Sequence, residues 1–187
     1  FQRLMLYENA YGFSRLRTYT HVFIYWLAAL ILTAIVLELV KRRGRFALAL
    51  LAAVVGFGAT LAIMNIDGFI VQRNVARAEA GSELDVAHLN TLSTDAVPQM
   101  LEKYQDEGLP QDVRDGLGAA LACMEKITND PAELPWQEYN LGHARAYRLL
   151  RENAAGWSQF KPYETNGEWM IRFDGEEIVC SNYIMMD

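Results

Sequence analysis

Motifs that carry chemistry are scarce in this chain. It has two cysteines, Cys123 and Cys180, and three histidines, His21, His88 and His143. No histidine has a second ligand at metal-binding spacing. No Gly-rich phosphate loop, His-Glu-x-x-His, Cys-x-x-Cys or Gly-x-Ser-x-Gly elbow occurs. Motif support is therefore missing for phosphate transfer, zinc hydrolysis, dithiol exchange and serine acyl transfer. No catalytic residue, cofactor or metal is assigned. Acids are numerous, but a run such as Glu102, Asp106 and Glu107 reads as a solvated face.

Basic charge is also lacking, and unevenly so. Residues 1–66 carry seven basic residues against two acids, a net of +5, whereas residues 67–187 carry ten against twenty-one, a net of −11. Phosphate binding needs a basic surface, so nucleic acid is excluded as a partner of the second part. Mean hydropathy near zero hides the same division.

Two long apolar runs account for the first part. Thr18–Val40 reads TYTHVFIYWLAALILTAIVLELV, and Phe46–Ile66 contains no charge. The first spans about 34 Å as a helix, enough for a hydrocarbon core of about 30 Å. Both are expected as transmembrane helices, because lipid obliges a backbone to satisfy its own hydrogen bonds. The alternative is a pair of core helices in a soluble protein. Ala52, Gly56 and Thr60 form a small-residue stripe, with Gly58 and Ala62 as a second pair. That stripe is expected to pack on the first span or on another membrane helix. Glu38 reads as an ion-paired interfacial residue or, less blandly, as a proton site. His21, among Tyr19, Tyr25 and Trp26, suits an aromatic belt.

The four cations in Lys41–Arg45 mark a cytoplasmic turn, against five more thinly spread ones: Arg3, Arg15, Arg17, Arg73 and Arg77. The lean is towards an acidic domain facing away from the cytoplasm. Arg15, Arg17, Arg73 and Arg77 are candidate contacts for lipid headgroups or a partner. Pairing of Arg73 and Arg77 with acids of their own domain is the structural alternative.

The expected organisation is a juxtamembrane segment (1–17), two spans (18–40 and 46–66) and an acidic extramembrane domain (67–187). Helices are expected from Asp67 to Gly81, capped by Asn65 or Asp67, over Asp85–Leu92 and Asp95–Tyr104, both opened by a capping acid, over Gln111–Ile127 and over Trp136–Trp157. After residue 157, Asn166-Gly167 and Asp174-Gly175 predict two tight hairpins. Their register pairs Tyr163 with Met170, Ile171 with Ile178, Arg172 with Glu177 and Trp169 with Cys180. The fold class is thus mainly α: a two-helix transmembrane hairpin, a small helical domain and a three-stranded antiparallel meander. Cys123 and Cys180 are either a disulfide joining the long helix to the last strand or two buried thiols.

Three segments carry a resemblance. They are Tyr11-Gly12-Phe13-Ser14-Arg15-Leu16-Arg17; Asn65-Ile66-Asp67-Gly68-Phe69-Ile70 followed by Asn74 and Arg77; and Trp136, Asn140, Ala144 and Arg145. Together they resemble a bacterial family of multi-pass membrane proteins described only as a domain of unknown function, over residues 1–150. The resemblance implies further spans before Phe1 and a place in the bacterial inner membrane. It implies no activity. The expected role is an accessory or scaffolding subunit, whose partners are membrane lipid and other membrane subunits. A sensor or transporter component using Glu38 or His21 is the alternative, and a membrane enzyme using the acidic surface is the third reading.

Overall fold

The computed structural model describes residues 14–180. Arg3 and the Tyr11-Gly12-Phe13 part of the first motif lie outside them. The chain divides into two compact units at Ile66/Asp67.

In the first unit, α1 (Arg15–Leu39) and α2 (Phe46–Ile63) lie side by side. The chain leaves α1 through a left-handed Lys41 at φ 55°. Arg42 N–H donates to the Leu37 carbonyl at 2.8 Å and Lys41 N–H to that of Glu38 at 3.0 Å. This double closure satisfies carbonyls that a helix end otherwise leaves open. Of these helices only α1 is by itself long and apolar enough to cross a membrane. The expected second span to Ile66 is shortened, because Met64 turns extended and closes α2 after 18 residues. That length is about 27 Å, a little under a hydrocarbon core. Phe46–Leu61 is long and apolar enough to cross only together with Ile66–Glu79.

The second unit begins with α3 (Ile66–Glu79), which closes through Gly81 at φ 94°. The short helix α4 (Val86–Asn90) is capped by Asp85, whose carboxylate accepts from His88 N–H at 2.8 Å. A 3-10 turn (Thr94–Ala96) leads into α5 (Val97–Tyr104), with Pro98 in the first turn. The capping role expected of Asp95 belongs to Ser93, whose hydroxyl accepts from Asp95 N–H. Next come α6 (Gln111–Ile127) and α7 (Leu141–Asn153). The helix expected over Trp136–Trp157 is corrected at both ends. Asn140 caps α7 by accepting from Gly142 N–H at 2.7 Å, and residues 154–157 tighten to a 3-10 turn. Pro131 and Pro135 keep the preceding stretch in turns.

The centre of this unit is α6. It packs against α4, α5, α7, the 154–157 turn and the sheet. Gly116 to Met124 are all buried. A helix enclosed on every side needs small residues where neighbours come closest. A Cβ at Gly118 would sit 2.5 Å from the Phe160 ring and 2.9 Å from that of Tyr104.

The sheet is a meander of β1 (Tyr163–Thr165), β2 (Glu168–Phe173) and β3 (Glu176–Val179), in the order β1-β2-β3. Both turns have positive φ at each central residue: 52° and 82° at Asn166-Gly167, 48° and 83° at Asp174-Gly175. Those are the conformations that two-residue hairpins demand. The pairing follows: Tyr163 with Met170, Ile171 with Ile178 and Arg172 with Glu177.

Candidate functional site

Within the first unit the expected stripe splits. Trp26 indole N–H donates to Thr60 Oγ1 at 3.2 Å, and that hydroxyl donates to the Gly56 carbonyl at 2.8 Å. A Cβ at Gly56 would run into the Trp26 ring, so glycine is what admits the indole. Phe23 and Phe57 meet edge-on at 6.1 Å. Ala52 is exposed and takes no part. Glu38 is exposed in the last turn of α1, and His21 is half-buried near its start. Arg15, Arg17 and Arg77 are half-buried, and each makes polar or electrostatic contacts. Arg73 lies 5.3 Å from the Phe69 ring centre.

In the acidic unit the structure joins Cys123 of α6 to Cys180, just after β3, as a disulfide with Cα atoms 5.0 Å apart. Both cysteines are buried. Asn90, unremarked in the sequence, lies against this link. Its amide donates to Cys123 Sγ at 3.4 Å and to the Val179 carbonyl at 3.2 Å. Its Oδ1 is buried without a partner among the described residues. Polar Asn90 beside apolar Leu89 in a five-residue helix was the one available signal. Asp67, an expected cap, is buried and accepts from both the N–H and the hydroxyl of Ser93.

Between the α3–α4 connection and the tip of the β2–β3 hairpin runs a cleft of about 430 Å³. Glu83, Asp85, Asp174 and Glu176 line it together with Leu84, Val86, Phe173 and Ile178. Leu84 and Val86 approach α6 at Gly116, where a Cβ would be 3.1 Å from each. A second cleft, of about 410 Å³, holds Trp157 and Phe160 between Lys126 and Lys161. Trp157 indole N–H is satisfied by Glu125 at 2.8 Å. Trp136, Tyr139 and Leu141, expected within a helix over Trp136–Trp157, are exposed by 82%, 55% and 77%. No group of three or more metal-ligating side chains gathers among the described residues.

Electrostatics concentrate on the hairpin. Arg172 donates to Glu177 Oε1 at 2.6 Å. That bond holds the Glu177 carboxyl below its ordinary value and raises the Arg172 guanidinium. The Glu177 carboxylate in turn raises the Tyr163 phenol. Elsewhere Tyr147 donates to Asp130 at 3.0 Å and is raised by that bond, which only the neutral phenol can make.

No curated protein and no solved structure matches the chain. The family model described as Domain of unknown function (DUF4153) matches residues 1–103. The match takes in α1 to α4 and most of α5, and stops short of the Trp136–Arg145 element. By this match over more than half its length, the chain belongs to the family of the Domain of unknown function (DUF4153).

Proposed function

We propose that this protein is a membrane-anchored accessory or scaffolding subunit, whose acidic domain binds a protein partner within a larger membrane complex. The observation that carries the proposal is the exposure of α1. Only 6% of its apolar stretch is buried, and Leu27, Ile31, Leu32, Ile35 and Val36 all face outwards. A core helix would bury such residues, and water would penalise them by roughly 1.5–3 kcal/mol for each large side chain. Lipid or another membrane helix is the medium that suits them. Exposed Leu48, Leu51, Val54 and Val55 on α2 support the same medium for a second span. Membrane lipid and neighbouring subunits are thus the partners of the first unit. Exposed Trp136, Tyr139 and Leu141 support a protein partner for the second, since aromatic residues anchor interfaces.

The home we infer is the bacterial inner membrane, with the acidic domain outside the cytoplasm. A buried disulfide persists in an oxidising compartment, and the cations of Lys41–Arg45 favour the cytoplasmic face. A Gln137→Cys variant should be labelled by a membrane-impermeant maleimide on intact spheroplasts, and an Arg43→Cys variant only after lysis; the reverse pattern refutes this orientation. The role itself is tested by extracting the full chain in a mild detergent and weighing the particles. An assembly containing other subunits is expected, and a bare monomer in lipid would overturn the role.

A further inference from the structure

We propose that the outer edge of β3, with the cleft beside it, is a docking site for an extended, basic segment of a partner protein. The proposal rests on the partner-binding reading above and names the surface and the kind of partner.

The first observation is main-chain chemistry. Across an antiparallel pair, residues alternate between those that bond the neighbouring strand and those that point away from it. Cys180 N–H donates to the Trp169 carbonyl at 2.8 Å, which sets the parity of the β2–β3 ladder. Glu176 and Ile178 therefore bond to β2, while Glu177 and Val179 direct their main-chain groups outwards. The Val179 carbonyl is met by the Asn90 amide at 3.2 Å, as that parity requires. The N–H and carbonyl of Glu177 have no hydrogen-bond partner among the described residues. β3 is an edge strand of the sheet. Such an edge is where an extended peptide adds a strand.

The second observation is independent of the first. Among the described residues the cleft is walled by the carboxylates Glu83, Asp85, Asp174 and Glu176 together with Phe173 and Ile178, and no lysine or arginine lines it. An occupant that complements it alternates cationic and apolar side chains, the two-residue period of a strand. A second copy of this chain fits poorly. An antiparallel β3–β3 pair centred on the outward-facing Glu177 would set that carboxylate against its own copy, and like charges facing across a ladder are destabilising.

The test uses the full chain in detergent micelles and a fluorescent acetyl-Lys-Val-Lys-Val-Lys-Val-amide probe, read by anisotropy, with the Glu-Val analogue as control. The expected result is binding of the Lys-Val peptide alone. Combined Glu83→Gln, Asp174→Asn and Glu176→Gln should weaken it about tenfold or more, while Glu102→Gln, Glu107→Gln and Asp112→Asn together, elsewhere on the domain, should change it less than about twofold. Glu177→Pro removes the outward donor without touching the β2 ladder and should weaken binding more than Glu177→Gln, which keeps it. Equal loss from the two triple sets, or no binding, overturns the proposal. The triple sets leave the hairpin backbone intact, so misfolding of Glu177→Pro does not shield it. A multi-subunit assembly that survives the cleft variants unchanged sinks this docking site and leaves the scaffolding role standing. Site-dependent peptide binding by a chain that purifies without partners does the opposite.

Discussion

At the scale of single residues, small groups do their work by what stands against them. Gly56 is needed because the Trp26 ring occupies the space of its Cβ, and Thr60 then ties the indole to the α2 backbone. Gly56→Leu should destabilise the α1–α2 pair by about 1–3 kcal/mol, the usual range for overpacking. Ala52→Leu should be near neutral, since Ala52 is exposed. Denaturant titration of the detergent-solubilised chain, followed by Trp fluorescence, compares the two. Equal effects would disprove the seam. Glu177 illustrates a charge effect. Its folded carboxyl is held low, first by Arg172. Its contribution is therefore present above the ordinary carboxylate value, about 4.3, and is lost as pH falls through the lowered folded value. Carbon-detected NMR titration should place the Glu177 midpoint below the ordinary range, and Arg172→Ala should return it upwards.

At the scale of elements, periodicity made some segments legible and misled at others. Gln111–Ile127 was readable from Val113, Leu117, Ala120, Leu121 and Met124, and the helix occupies those bounds. The hairpins were readable because Asn-Gly and Asp-Gly supply the positive φ that their turns need. Trp136–Asn140 was misread because apolar spacing alone resembles a helix. The flanking prolines and the Asn140 cap decide otherwise. The end of α2 was illegible for a related reason: Met64 is apolar, and only its extended backbone breaks the run. For α1 the proposed spanning role makes a direct prediction. Ile31→Lys places a charge near mid-span, at a cost of about 2.5–3.5 kcal/mol. The fraction of chain resisting carbonate extraction from membranes should fall, whereas Ile31→Leu should leave it unchanged.

At the scale of the whole molecule, one covalent link closes a long loop of the acidic unit. Cys123 and Cys180 are 57 residues apart. On the chain-entropy account, joining them stabilises the folded state by about 4 kcal/mol. Cys123→Ala with Cys180→Ala should lower the unfolding free energy of this unit by that order, seen as a lower urea midpoint with a steeper slope, because the unlinked unfolded chain exposes more surface. A midpoint that does not move would show that the link contributes nothing. With Asn90, the same link holds the base of β3, and so steadies the edge and cleft proposed for docking.

The sequence alone determined the division at residue 66, the sign of charge on each side, the long apolar helix, the central helix of the acidic unit and the hairpin register. Each of these rests on local chemistry: runs of one polarity, a fixed period or a turn dipeptide. Only the tertiary structure decided the rest. It paired Trp26 with Gly56 and Thr60, joined Cys123 to Cys180, brought Asn90 to that link, turned Trp136 outwards and set Glu83 and Asp85 opposite Asp174 and Glu176. Those pairs lie from 30 to 93 residues apart along the chain. No local pattern encodes such meetings, because they arise only when the elements pack.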